Sequence, residues 1–237
     1  MMPLVANQID IPTIRLTQCE RPILNVVDLF WLPAGEQYGN LVPKLGGIHQ
    51  RVFETNRQLE LAFHTWAQAR HGPPSDAATR HLFAVEHTVF HMRRAGDELI
   101  GLRAVVSYYA ESDEWPDSVD PDSVGRLLAR EDLCALEPYR YHRELLTRLN
   151  DLHNAQKHSF LNTDTTLIGR DEPTANAFHR RGNRGNAPLE IYGVSLRALA
   201  QGFQVFALAA LAELREISRQ IQNHQAPNSD PDNPTGA

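Results

Sequence analysis

Apolar residues recur at helical spacing along most of this chain. From Lys44 to Arg70 the residues Ile48, Val52, Leu59, Phe63 and Trp66 share one face, and His71-Gly72-Pro73-Pro74 ends the pattern. Asp76 is placed to cap a second, very long helix that runs to about Glu111. Its stripe is Leu82, Val85, Val89, Met92, Gly96, Leu99, Val106 and Tyr109. Two such helices joined by a Gly-Pro-Pro turn predict an antiparallel helix hairpin. Asp120-Pro121 opens a short helix to about Arg130, with proline in the first position. Pro138 opens a longer helix with Leu145, Leu149 and Leu152 as its core stripe. The last helix, from about Val194 to Gln222, turns Leu199, Phe203, Phe206, Ala210, Leu214, Ile217 and Ile221 to one side.

Between these last two helices the period changes. Thr165–Ile168 and Leu189–Tyr192 have strand character, and Arg170–Pro188, rich in Gly, Asn and Arg, reads as a basic loop of a β-hairpin. The fold class is therefore mainly α: a helical bundle built on a long antiparallel helix hairpin, with a small β-hairpin insertion. Residues 1–40 read as an irregular N-terminal arm, in which Ile9–Leu16 has the alternation of an edge strand limited by Pro12. Residues 41–223 form one helical domain, with the β-hairpin and basic loop at about 164–192. Residues 224–237, without a large apolar side chain, read as a disordered tail.

Composition narrows the class. The chain has 237 residues, 42% hydrophobic and 22% charged, with a net charge of −6. That is a globular composition with no broad nucleic-acid-attracting field, so contact with RNA requires a local basic patch. The apolar run Leu196–Leu214 is interrupted by Arg197, Gln201, Gln204 and Glu213, as in a core helix rather than a membrane span. Met1–Ile9 lacks the basic and apolar regions of a signal peptide, and Cys19 and Cys134 suit reduced thiols, which together point to the cytoplasm. Of 23 basic residues only Lys44 and Lys157 are lysine.

The densest candidate chemistry lies in Leu149–Asn162. Asn150, Asn154 and His158 are successive i, i+4 neighbours on one helix ridge, with His153 and Lys157 on the next. This polar ridge is expected to face away from the core, toward water or a second molecule. His158 titrates near neutral pH and could serve as a general base or acid, with Lys157 or His153 as the cation and Asn154 orienting it. Equally, His158 could bond to a carbonyl near the helix end. On the long second helix Arg93 and Asp97 are spaced i, i+4, which suits an internal ion pair, a tie to the Asn154 helix, or support for the site.

The segment Leu152-His153-Asn154-Ala155-Gln156-Lys157-His158 resembles that of HEPN-like helical proteins in which an Asn is followed four residues on by a His. Uncharacterised bacterial members have a similar Asn-x-x-Lys-His ending, and Arg93-Arg94-Ala95-Gly96-Asp97-Glu98-Leu99 resembles their preceding Arg-x-x-x-Asp helix. The likeness spans about Asp76–Asn162. It implies an RNA-directed protein, a metal-independent ribonuclease of a toxin or defence system, with a composite site at a homodimer interface and no cofactor. His158 would be the family's histidine, Asn154 its polar residue, and Arg93, Asp97 and Asn150 the support. The family's arginine position is taken by His153. Arg148 does not replace it, because Arg148 and His153 lie about 140° apart around a helix.

Arg180, Arg181 and Arg184, with Arg170, could contact phosphates from the basic loop. Two other readings stand beside the nuclease. One is a catalytically inert helical scaffold or regulatory protein. The other is a metal-dependent hydrolase using His87 and His91, an i, i+4 pair beside Glu86 for which no third ligand is identifiable.

Overall fold

The computed structural model describes residues 23–25, 28–71, 76–158, 172–180 and 189–225. Helix α1 (Val42–His71) and helix α2 (Asp76–Ser112) form the antiparallel hairpin on which everything else packs. At 1.5 Å per residue α1 is about 45 Å long. Its first turn is held by the Asn40 side chain, which accepts the Val42 amide at 2.9 Å. The facing surfaces bury Leu45, Ile48, Val52 and Leu59 of α1 against Val85, Val89, Met92 and Leu99 of α2. The periodicity of both helices is thus the periodicity of one shared core.

Helix α5 (Tyr139–His158) and helix α6 (Leu196–Gln225) close the bundle against α2. Leu145, Leu146, Leu149, Leu152 and Ala155 of α5 are buried with Leu199, Phe203, Phe206, Ala210 and Leu214 of α6. Burial of each large side chain contributes about 1.5–3 kcal/mol. Gly96 sits where three helices meet: a Cβ there would lie 3.4 Å from Val124 and 3.9 Å from Phe203.

Several elements differ from the sequence expectation. The segment after Asp120-Pro121 does not begin a helix at the proline. Helix α3 (Val124–Leu128) starts later, because Ser123 in extended conformation caps it, its hydroxyl accepting the Arg126 amide at 3.3 Å. A second short helix, α4 (Glu131–Cys134), precedes α5. The β-hairpin insertion is present, but its first strand is β3 (Thr174–Arg180), paired antiparallel with β4 (Leu189–Ser195) in the register Thr174↔Ser195 to Arg180↔Leu189. Thr165–Ile168, the expected strand, lies outside the described residues. The observed partner closes a much shorter connection, and a segment such as Thr-Ala-Asn-Ala-Phe-His-Arg becomes a strand through its pairing rather than its own propensity.

Val194 and Ser195 complete β4 instead of opening the last helix. Ser195 then caps α6, accepting the Ala198 amide at 3.2 Å, and the Leu196 amide donates to the Pro173 carbonyl at 3.0 Å. At the other end α6 runs on to Gln225, so the tail begins later than expected, and residues 226–237 lie outside the described residues.

The described part of the N-terminal arm is ordered by side chains. Leu24 is buried, and Asn56 brackets it, accepting its amide at 2.8 Å and donating to its carbonyl at 2.9 Å. Strands β1 (Ala34–Gly35) and β2 (Gly39–Asn40) make a minimal hairpin. The Trp115 indole stacks on Tyr109 with centroids 4.5 Å apart and fills the space beside Gly35, where a Cβ would collide with the indole. The Tyr38 hydroxyl donates to the Pro116 carbonyl at 2.7 Å, tying the same loop to the hairpin. The proposed edge strand at Ile9–Leu16 lies outside the described residues, as does Cys19. Cys134 is a buried free thiol. Among the described residues no helix is long and apolar enough to cross a membrane.

Two outcomes follow from this packing. Gly35→Ala displaces the Trp115 indole and is expected to cost about 1–3 kcal/mol by overpacking, read as a lower urea midpoint with altered tryptophan fluorescence. His81, 4% exposed, donates from Nδ1 to the Ala62 carbonyl at 2.9 Å, and burial pushes its pKa below 6.5 against the opposing effect of that carbonyl. Burial lowers His142 in the same way. Unfolded imidazoles protonate below pH 6.5 before the native ones do, so this stability is complete above that pH and is lost as pH falls toward the lowered native values. His81→Gln, which keeps a donor, should therefore shrink the fall in urea midpoint between about pH 7.5 and about pH 5.5. An undiminished fall would show that His81 is not its source.

Candidate functional site

Helix α5 carries the candidate residues because its leucines anchor one face and leave a polar flank. The flank does not wholly face outward as the helical wheel suggests. Asn150 turns to α2, where its Oδ1 accepts Arg93 Nη2 at 3.2 Å. Arg93 is only 7% exposed and forms an ion pair with Asp97 one turn on. The Asp97 Oδ1 in turn accepts the Val124 amide at 2.8 Å, at the start of α3. One guanidinium thereby joins α2, α3 and α5. Burial, with Arg94 nearby, holds Arg93 down at about 10, partly offset by Asp122, so it remains charged at neutral pH.

His153 also leaves the outward ridge. It is half-buried, its ring 6.0 Å from that of Phe90, which meets His91 edge-on at 5.2 Å. The reason for both departures is that α2 is long enough to cover the flank of α5 as well as α1. Asn154 is half-buried and Lys157 exposed in the last turns of α5. His158 is the final helical residue, and its side chain lies outside the described residues. The structure thus brings together Arg93, Asp97 and Asn150, sets His153 against Phe90, and leaves Asn154 and Lys157 beyond the tie.

Arg180 is the last residue of β3 rather than part of a loop. Strand β3 takes seven of the positions in Arg170–Pro188, the stretch that reads as loop sequence. The side chain of Arg180, and Arg170, Arg181 and Arg184 entirely, lie outside the described residues. Strand β3 packs on α5, so the chain reaches Arg180 from a support shared with the candidate helix.

His87 is exposed and His91 half-buried on α2. Burial lowers the His91 pKa most; Glu54 raises it, and Arg51 and His87 lower it further. Among the described residues no group of three or more His, Cys, Asp or Glu is arranged to hold a metal ion.

A second polar tie escapes the sequence pattern. Arg103 of α2 donates from Nη2 to Glu213 Oε1 of α6 at 2.5 Å and lies over the Tyr139 ring, 5.1 Å from its centroid. Burial pushes the Tyr139 hydroxyl up to about 12, so it stays neutral. Its partners are 110 positions apart, and the only local signal is an arginine flanked by buried Leu102 and Val105.

Comparison with family models, curated proteins and solved structures finds no match to this chain.

Asp97→Ala leaves a buried guanidinium without its counter-charge and is expected to cost about 3–5 kcal/mol of stability. Asn150→Ala removes one neutral acceptor and should cost about 1–3 kcal/mol. The double variant should cost less than the sum, because both act through Arg93; additive urea-unfolding energies would contradict a shared network.

Proposed function

We propose that this chain is an HEPN-like, RNA-directed protein: a metal-independent ribonuclease whose reacting groups lie in the last two turns of α5 and act in a homodimer. The supporting observation is the division of α5. Its first part is bolted to α2 through Asn150, whereas Asn154 and Lys157 stand free of that tie at the helix end. Local charge supports the same reading. Residues 139–195 contain eight of the 23 Lys and Arg but only six of the 29 Asp and Glu, so this stretch is positive in a chain of net charge −6.

The chemistry needs no metal. The ribose 2′-oxygen attacks phosphorus while His158 takes its proton, and the bond to the 5′-oxygen breaks as a protonated His158 of a second copy supplies a proton to it. The products are a 2′,3′-cyclic phosphate and a 5′-hydroxyl. Lys157 balances charge on the non-bridging oxygens, and Asn154 orients the imidazole or the phosphate. Lys157, exposed near the helix end, is the favoured cation, with His153, half-buried against Phe90, as the alternative.

A specific observation favours a second reading, an inert helical scaffold or regulatory protein. Four of the seven candidate side chains on α2 and α5, namely Arg93, Asp97, Asn150 and His153, are engaged in packing between helices. Incubation with single-stranded RNA in EDTA separates the two. The nuclease should yield cyclic-phosphate ends, with a loss of about a hundredfold or more in His158→Ala and about tenfold in Lys157→Met. Light scattering should give a dimer mass. Absence of cleavage by the native protein would favour the scaffold.

A further inference from the structure

Along the first half of α2, Asp76, Arg80, Phe83, His87, Phe90 and Arg94 are all exposed. Their spacing alternates between four residues and three, which keeps them on one stripe along the helix for about 27 Å. Such a stripe has the spacing of the a and d positions of a coiled coil. Here it faces solvent, because the core side of the same helix is already taken by Val85, Val89 and Met92. Phe83 and Phe90, one heptad apart, are 52% and 44% exposed. Two large aromatic side chains left in water on one helix face mark a surface that gains by being covered.

The charges on the stripe point to what covers it. In an antiparallel coiled coil each a position stands opposite a d position of the other helix. For two copies of α2 about a two-fold axis, Asp76 then stands opposite the partner's Arg94. Arg80 stands opposite the partner's Phe90, and Phe83 opposite the partner's His87. The axis repeats each pair, and no layer holds like charges. The layers are an ion pair, a guanidinium on an aromatic face, and an imidazole against a phenylalanine. A parallel pairing would set Asp76, Arg80 and Arg94 each against its own copy. Within one copy these charges are held only by exposed pairs, Asp76 with Arg80 at 2.9 Å and Arg94 with Glu98 at 3.5 Å. Pairs of that kind contribute little and are readily re-partnered.

The three pairs share one midpoint, Val85, so the axis crosses α2 there. Helix α5 runs antiparallel to α2: Asn150 meets Arg93, and His153, three residues on, meets Phe90, three residues back. The same count continued to the last residue of α5 brings His158 to the level of Val85. We propose that a second copy of this chain docks on this stripe, making an antiparallel two-fold contact between the α2 helices. That contact sets the last turns of both α5 helices at the level of the axis. The inference rests on the homodimer reading above and supplies the surface for it. Two helices meeting over this length bury less than about 1,200 Å², so the dimer is a weak one, with Kd of micromolar order.

Sedimentation equilibrium of the full chain between about 1 and about 500 μM should show a monomer–dimer equilibrium. Phe90→Lys, opposite the partner's Arg80, should raise Kd at least about tenfold. Phe53→Lys, equally exposed but on α1, should leave Kd unchanged. Asp76→Arg and Arg94→Asp should each weaken the dimer at least about fivefold when alone, because each sets like charges opposite one another. An equimolar mixture of the two should regain the native affinity, since every reversed charge then meets its opposite. The proposal is overturned by a chain that stays monomeric, by an unaltered Kd in Phe90→Lys, or by a mixture that does not recover. If Phe90→Lys does not fold, the charge exchange decides alone. RNA cleavage measured on the same samples separates this contact from the nuclease. A dimer lost in Phe90→Lys beside an inactive native protein upholds the contact and removes the nuclease. Cleavage by a Phe90→Lys protein that is still dimeric does the reverse.

Discussion

The Arg93 guanidinium lies where water is nearly excluded, so its charge has to be answered by protein groups. Asp97 supplies the counter-charge, Asn150 a neutral acceptor, and Asp97 also takes the first amide of α3. Because these partners come from three helices, the interaction determines more than local energy. It sets the rotation of α5 against α2, and with it which residues of α5 remain for anything else. With Asn150 turned inward, Asn154 and Lys157 lie about one and two turns beyond the tie. Apolar packing alone tolerates sliding and rotation of a helix more readily than a directional, charge-assisted hydrogen bond does.

Arginine and lysine divide the work in this molecule. Arg93 and Arg103 are buried and joined to carboxylates, and many exposed arginines pair with nearby acids. A planar guanidinium suits such fixed pairing, because its fork of donors is rigid and stays charged when buried. The two lysines behave otherwise. Lys44 stands at the mouth of a cavity and Lys157 at the end of α5, both exposed and both without a carboxylate partner among the described residues. An exposed ammonium on a flexible stem is a compact, strongly hydrated point charge, unlike the fixed guanidinium fork.

The candidate helix is framed by elements that limit its motion. Strand β3 lies against it, α6 covers its leucines, and α2 covers much of its polar flank. The hairpin in turn is anchored at its base, where Leu196 donates to Pro173 and Ser195 caps α6. A reacting group gains from such rigid support, since positioning is a large part of what a site contributes.

The chain by itself determined the four long helices and their hairpin arrangement. Their signals are local: apolar residues at i, i+3 and i+4, a Gly-Pro-Pro stop, an aspartate at the start of α2, a proline before α5. The Arg93–Asp97 spacing was legible for the same reason, since both residues lie on one helix. What only the tertiary structure decided depends on partners far along the chain. Asn150 faces inward because Arg93, 57 positions away, waits there. Thr174–Arg180 is a strand because Leu189–Ser195 pairs with it, although its own residues favour strand only weakly. The cavity beside Lys44 exists because α1, α2 and the loop at Val119 converge without filling the space. Periodicity is a property of one segment, whereas a counter-charge, a strand partner and an unfilled volume each require two or more.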